Sequence, residues 1–250
     1  MVDAPEPAGD SADPAPLWFN PPAGRENRPR RALTRDRVAA EALEIISADG
    51  VEAFSMRALA GRLGVVPGAL YRHVHSKEQL FDLILDGVLA EVDRHVDDSQ
   101  TWTAQVAELA QRLRAVLEDH PGIAALLKVR DPLSPHSLVL AEAFLASLEG
   151  AGLPDDQTAL AFRLIYDYTV GFSLSDRNSA AEQRVRDPAA RGELHAFLRA
   201  LPADRFPMLA ALGDRVWADD RDDRFAASLG TIISGLQALQ RLHWSRRHPR

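Results

Sequence analysis

SMRALAGRLGVVPGALYRHVHSKEQL, from Ser55 to Leu80, reads as two short helices joined by a tight turn. Ser55 is a side-chain cap for a helix whose apolar positions are Met56, Leu59, Ala60 and Leu63. Two helices that cross closely need a small residue where they touch, and Ala60 supplies it. The turn needs a residue that tolerates positive φ, and Gly64 supplies that four positions later. Pro67 suits the first turn of the next helix, where its missing N–H costs nothing. That helix runs to about Val74. Leu70 and Val74, at i and i+4, point back into a core, leaving Pro67, Gly68, Ala69, Tyr71, Arg72 and His73 facing outward.

The pattern extends on both sides. Thr34 caps a helix with Val38, Ala42, Ile45 and Ile46 on one stripe, and Gly50 ends it. Ser76 caps a long fourth helix carrying Leu80, Phe81, Ile84, Leu85, Val88 and Val92. Further helices are predicted near 102–119, 122–129, 135–151, 155–178, 190–200, 204–217 and 221–244. Breaks come from His120-Pro121-Gly122, Asp131-Pro132, Gly150 to Pro154 and Asp187-Pro188. The polar stretch 179–190 carries no stripe and reads as a mobile loop. No segment alternates as a strand does, so the expected class is all-α.

Residues 1–29 hold seven of the 16 prolines and read as a disordered acidic arm, with Leu17, Trp18 and Phe19 as a lone apolar patch. The division that follows is an arm over 1–29, a helix-turn-helix head over 30–78 and a helical body over 79–246.

Charge is unevenly spread. The chain carries a net −7, but residues 25–80 hold ten Lys/Arg against seven Asp/Glu, between acidic flanks. A basic segment between acidic neighbours suits a protein that meets phosphate at one end only. Absence of cysteine excludes disulfides and thiolate metal sites. No apolar run approaches membrane-spanning length and the N-terminus lacks signal-peptide character, so a cytoplasmic location is expected. No histidine pair has zinc-motif spacing and no Gly-rich phosphate loop occurs, so no cofactor or metal is expected. No nucleophile–base–acid set stands out either. Asp155/Asp156 and Asp219/Asp220 read as helix-start acids and solvated loop, so an enzyme is disfavoured. A helical ligand carrier without nucleic-acid binding is the other alternative, and the Tyr71/His73/Lys77 set speaks against it.

LGVVPGALYRHVHSKEQL resembles the signature of the TetR family, in which a helix-turn-helix ends in Leu-Tyr-x-His-Phe/Val before a short linker, a Lys and a long helix. The resemblance is close over Thr34 to Val92. It is looser beyond, through Trp102, RLRAVLEDHPG, YDYTVGF and DDRFAASLGTIISGLQAL. It implies a ligand-responsive DNA-binding regulator, most simply a repressor released from its operator by a small molecule. Carried over by residue, it implies that Tyr71, His73 and Lys77 hold backbone phosphates, the last beside the dipole of the fourth helix. Arg72 is the one long forked donor on the face and suits a guanine edge. Gly68 and Ala69 let the backbone approach the groove. Pro67 departs from the family's usual Ser or Thr and brings no donor there. Arg30, Arg31 and Arg35 suit phosphate or minor-groove contacts. Arg57 and Arg62 fit either a phosphate contact or simple solvation, and Arg57 is placed with the DNA set.

In the body, the resemblance implies an effector pocket, for which Trp102, Leu113, Leu117, Leu126, Phe144, Phe162, Tyr166 and Phe172 are candidate lining residues. Arg130, His136, Asp167 and Tyr168 are candidate polar groups. Tetracycline repressors hold a drug–Mg²⁺ chelate through body histidines, and none here aligns with them, so that drug is not implied. The helices near 155–178 and 221–244 correspond to the family's intersubunit bundle. Ala227, Gly230, Ile233, Ser234 and Leu236 are the expected interface of a homodimer, which would read a pseudo-palindromic operator.

Overall fold

Capping and burial explain the first four helices of the computed structural model, which describes residues 33–130, 133–174, 187–216 and 221–247. Helix α1 (Arg35–Asp49) opens with the Thr34 hydroxyl accepting the Arg37 N–H and buries Val38, Ala42, Ile45 and Ile46. Helices α2 (Met56–Leu63) and α3 (Pro67–Leu70) follow. Helix α4 (Lys77–Ala90) starts where the Ser76 hydroxyl accepts the Gln79 N–H, 3.1 Å away. It buries Leu80, Phe81, Ile84, Leu85, Val88 and Leu89, which is more than one stripe. The reason is its position, because α4 packs on α1 on one side and on three body helices on the other.

Those body helices are α5 (Trp102–Asp119), α6 (Ile123–Val129) and α7 (Pro135–Glu149). Helix α8 (Asp155–Ser173) lies against α5, α6 and α7, and the closing helix, α11 (Arg221–Arg247), packs on α8 and α5. Between them α9 (Pro188–Arg199) and α10 (Pro207–Val216) pack on one another. The described residues contain helices and no strand.

Several boundaries differ from the expected ones. Helix α3 stops at Leu70 and continues as tight turns, with the His73 N–H bonded to Leu70 O at 2.8 Å. Helix α4 ends at Ala90 and not Val92, and α10 begins at Pro207. The supposed loop over 179–190 ends early, because the Asp187 carboxylate caps Ala189 and Pro188 takes the first turn of α9. The arm over 1–29 lies outside the described residues, as do Arg30, Arg31 and most of that loop.

Head and body meet closely at Gly122. Its φ of +87° suits only glycine, and a Cβ there would sit 3.0 Å from Ile46 O of α1. The eleven-residue link between α4 and α5 is held by Arg112, whose guanidinium bonds the carbonyls of Asp93 and His95 and the Glu108 carboxylate.

Candidate nucleic-acid interface and effector cavities

The turn between α2 and α3 is built as its sequence suggests. Gly64 adopts φ 68° and ψ 33°, the left-handed region. The Val65 N–H then reaches Ala60 O (3.0 Å) and the Gly64 N–H reaches Gly61 O (3.2 Å), the Schellman closure of a helix end. Leu70 and Val74 are completely buried, along with Leu59 and Ala60. These anchors fix which side of α3 faces outward. Val66, Pro67, Gly68, Tyr71 and Arg72 are exposed, Ala69 and His73 half-buried.

Val66 is a residue that sequence reasoning missed. It is the N-cap of α3 and 71% exposed, next to Tyr71 at 47%. With the exposed Tyr71 it adds apolar area to the outward face, whereas a valine between two apolar neighbours in the sequence looks like core. Arg57 is exposed on α2 and Arg35 on α1. Arg62 instead pairs with Glu41 of α1 at 2.7 Å, which ties α2 to α1.

Lys77 departs from its expected role. Its ammonium donates to the Phe54 carbonyl at 3.1 Å and sits 5.3 and 5.1 Å from the ring centres of Phe54 and Phe81. Both rings are buried and lie 5.3 Å apart. The cation therefore closes the end of the head's core, in a cation–π and hydrogen-bond seat.

Two cavities open in the body, sharing Arg163 and Tyr166 as a wall. One, of about 170 Å³, lies among α4, α7 and α8 and is bordered by Leu89, Leu133, Ser137, Leu138, Phe162 and Tyr166. The other, of about 540 Å³, lies between α6 and α8 and adds Lys128, Asp167 and Val170. Phe144, Phe162 and Tyr166 form a ladder of rings 6.0 and 5.7 Å apart, from core to cavity wall. Of the expected lining residues, Phe162 and Tyr166 border these cavities. Leu113, Leu117, Leu126 and Phe144 do not, being close-packed core. Trp102 lies against Gly150. Phe172 meets Tyr168 at a tilt and Phe225 edge-on, beneath the guanidiniums of Arg114 and Arg221.

The candidate polar groups are bonded to neighbouring residues, Asp167 at the wall of the larger cavity. Tyr168 donates to Phe225 O, and Asp167 pairs with Arg163. Arg130 and His136 bond α4: Arg130 donates twice to Asp82 Oδ1 (2.9 and 2.7 Å), and His136 bonds both oxygens of Asp86. Partial burial opposes ionisation of Asp86. The nearby Ser134 hydroxyl, with the hydrogen bonds from the His136 N–H and ring, outweighs it and holds the carboxyl below its ordinary 3.8.

The expected dimer residues divide. Ile233 and Leu236 are buried against their own subunit, whereas Ala227, Gly230 and Ser234 are exposed on the opposite side of α11. Helix α8 leaves Leu160 (64%) and Leu164 (46%) in water one turn apart.

The family description "Bacterial regulatory proteins, tetR family" matches residues 38–84, and "Tetracyclin repressor-like, C-terminal domain" matches 96–240. The chain belongs to the TetR family. This TetR-family regulator is 35% identical over 198 residues to an HTH-type transcriptional regulator of Saccharopolyspora erythraea, covering 79% of this chain and 81% of that one. It is 30% identical to the HTH-type transcriptional repressor DrrR1 of Streptomyces coeruleorubidus, over 93% and 87% of the two chains. Its fold matches that of the TetR family protein ActR of Streptomyces coelicolor with a TM-score of 0.72 and 34% identity, covering 84% and 99%. That structure holds actinorhodin, and a second ActR structure holds (S)-DNPA.

Proposed function

We propose that this regulator is a cytoplasmic homodimeric repressor that reads a pseudo-palindromic operator and releases it when a small molecule enters the body. The observation that carries the reading is the outward face of α3 and the turns that follow it, where Val66, Ala69, Tyr71 and Arg72 stand on a segment anchored by the buried Leu70 and Val74. A short helix so anchored can enter a major groove without repacking its core. Arg72 then addresses a guanine edge and Val66 or Ala69 a thymine methyl. Tyr71 and His73 hold phosphates and set register. A head this small gains useful affinity by pairing two half-sites, which is what a two-fold dimer supplies.

The dimer face is assigned to α8 and α11, through Leu160 and Leu164 with Ala227, Gly230 and Ser234. Small residues let helices approach, and the leucines supply apolar area. No described helix is long and apolar enough to cross a membrane. The effector is assigned to the paired cavities at Phe162, Arg163 and Tyr166. The smaller is lined mainly by leucines and the Phe162 and Tyr166 rings, and the larger adds Lys128, Arg163 and Asp167, which together suit a ring-bearing molecule with polar or charged substituents. ActR binding actinorhodin and (S)-DNPA, and the repressor role of DrrR1, support this reading. The test is a compound screen for thermal stabilisation. Hits are expected to release the protein from its operator and to lose their effect in Tyr166→Ala. Stabilising compounds that leave operator binding intact contradict the effector assignment.

A further inference from the structure

We infer that Asp82 and Asp86, through Arg130 and His136, are positioning residues that set the angle of α4 and therefore the placement of the reading head. The inference rests on the proposed regulator function and adds a residue-level account of how head and body are joined.

Helix α4 belongs to both halves, packing on α1 and on α5, α6 and α7. Leu83, Ile84, Gly87 and Val88 border α1. Asp82 and Asp86, one turn apart, project from a different side of the helix, roughly a quarter to half a turn round. Each meets a different end of the α6–α7 connection. Arg130, which follows α6, lays two guanidinium N–H groups on Asp82 Oδ1. At the start of α7, the His136 main-chain N–H donates to Asp86 Oδ1 at 2.9 Å and its ring Nδ1 lies 3.0 Å from Oδ2. The Asp86 carboxylate thus satisfies a first-turn amide of α7 from outside that helix, where the dipole favours negative charge.

Pairs as exposed as these contribute little to stability. What they do supply is direction, because two contacts one turn apart oppose rotation and sliding of α4 against the connection. The same connection walls the smaller cavity: Leu133 and Ser137 border it within three residues of Arg130 and beside His136. Displacement of that wall by an occupant is transmitted to α4 through these two carboxylates.

The test compares Asp86→Ala with His136→Ala, lesions on opposite sides of one contact. DNA affinity is measured on the operator duplex enriched from random DNA by the wild-type protein, and on the same duplex with one half-site scrambled. A positioning role predicts a loss of about tenfold or more on the full operator and less than about twofold on the single half-site, since only paired engagement depends on head placement. Equal losses on both duplexes, or no loss on either, overturn the inference. A DNA-independent readout uses the absence of native cysteine. Spin labels at Ala48→Cys in the head and Ala146→Cys on α7, diluted with unlabelled protein, are expected to give a broader or shifted distance distribution in both variants. An unchanged distribution overturns it. If the wild-type chain enriches no duplex, the regulator reading fails, while the label distances still decide whether Asp86 and His136 hold α4.

Discussion

Arg72 and Lys77 lie five residues apart and answer to different physics. Arg72 is exposed, and among the described residues no side-chain hydrogen bond or ion pair holds it. Arg72→Ala is expected to cost about 1–3 kcal/mol and to relax preference at one base pair per half-site, measured by competition among single-base operator variants. A uniform loss on all sequences would make it a phosphate contact. Lys77 is seated on Phe54 and Phe81. Lys77→Met is therefore expected to lower the melting temperature and weaken operator binding while leaving the slope of log affinity against log salt unchanged. A slope reduced by about one per head would restore the phosphate role. The difference explains what was legible at this scale. Leu70 and Val74 lie four residues apart on one short segment, closed by the Val74 N–H on Leu70 O, so their spacing exposes their role. The partner of Lys77 is a carbonyl 23 residues upstream, and no local pattern reports it.

Individual elements are written in the sequence through their ends. Thr34, Ser55 and Ser76 each cap a helix as their position suggests, and Gly64 closes α2 in the left-handed region. Gly64→Ala is expected to destabilise the head by about 1 kcal/mol or more, since a Cβ at that φ is strained although nothing crowds it. The paired control is Gly61→Ala at a regular helical φ, which should stabilise by up to about 1 kcal/mol. Equal effects in thermal melts would contradict the turn geometry. What local reading did not reach is how elements hold one another. Arg130 and His136 look like pocket donors in sequence and are instead bonded to α4. The Asp86 contact carries a pH signature. Its carboxyl is held below the ordinary 3.8, so its contribution is present above that value and is lost as pH falls through the lower, folded value. The gap in melting temperature between wild type and Asp86→Ala is therefore expected to narrow as pH falls from about 6 to about 3. A constant gap would mean that ionised Asp86 contributes nothing.

At the scale of the molecule, the all-α architecture and the head-then-body order follow from helical periodicity and from the lack of strand alternation. The functional surfaces are less legible. Helix α11 has apolar and small residues on all sides, so its sequence cannot tell that Ile233 and Leu236 face inward while Ala227, Gly230 and Ser234 face out. In the same way, the apolar residues of α5 to α8 do not separate core from cavity wall, because both are leucine and phenylalanine. The exposed pair on α8 gives the dimer its test: Leu160→Glu/Leu164→Glu should yield a folded monomer by light scattering, and a persistent dimer would move the interface elsewhere. The central claim is that two such heads, related by a two-fold axis, read DNA together. Sequencing of duplexes enriched from random DNA by the purified protein tests it most directly. A pseudo-palindrome is predicted, with half-site centres about 10 base pairs, or a multiple of that, apart. A lone asymmetric motif, or no enrichment over the starting pool, would contradict it.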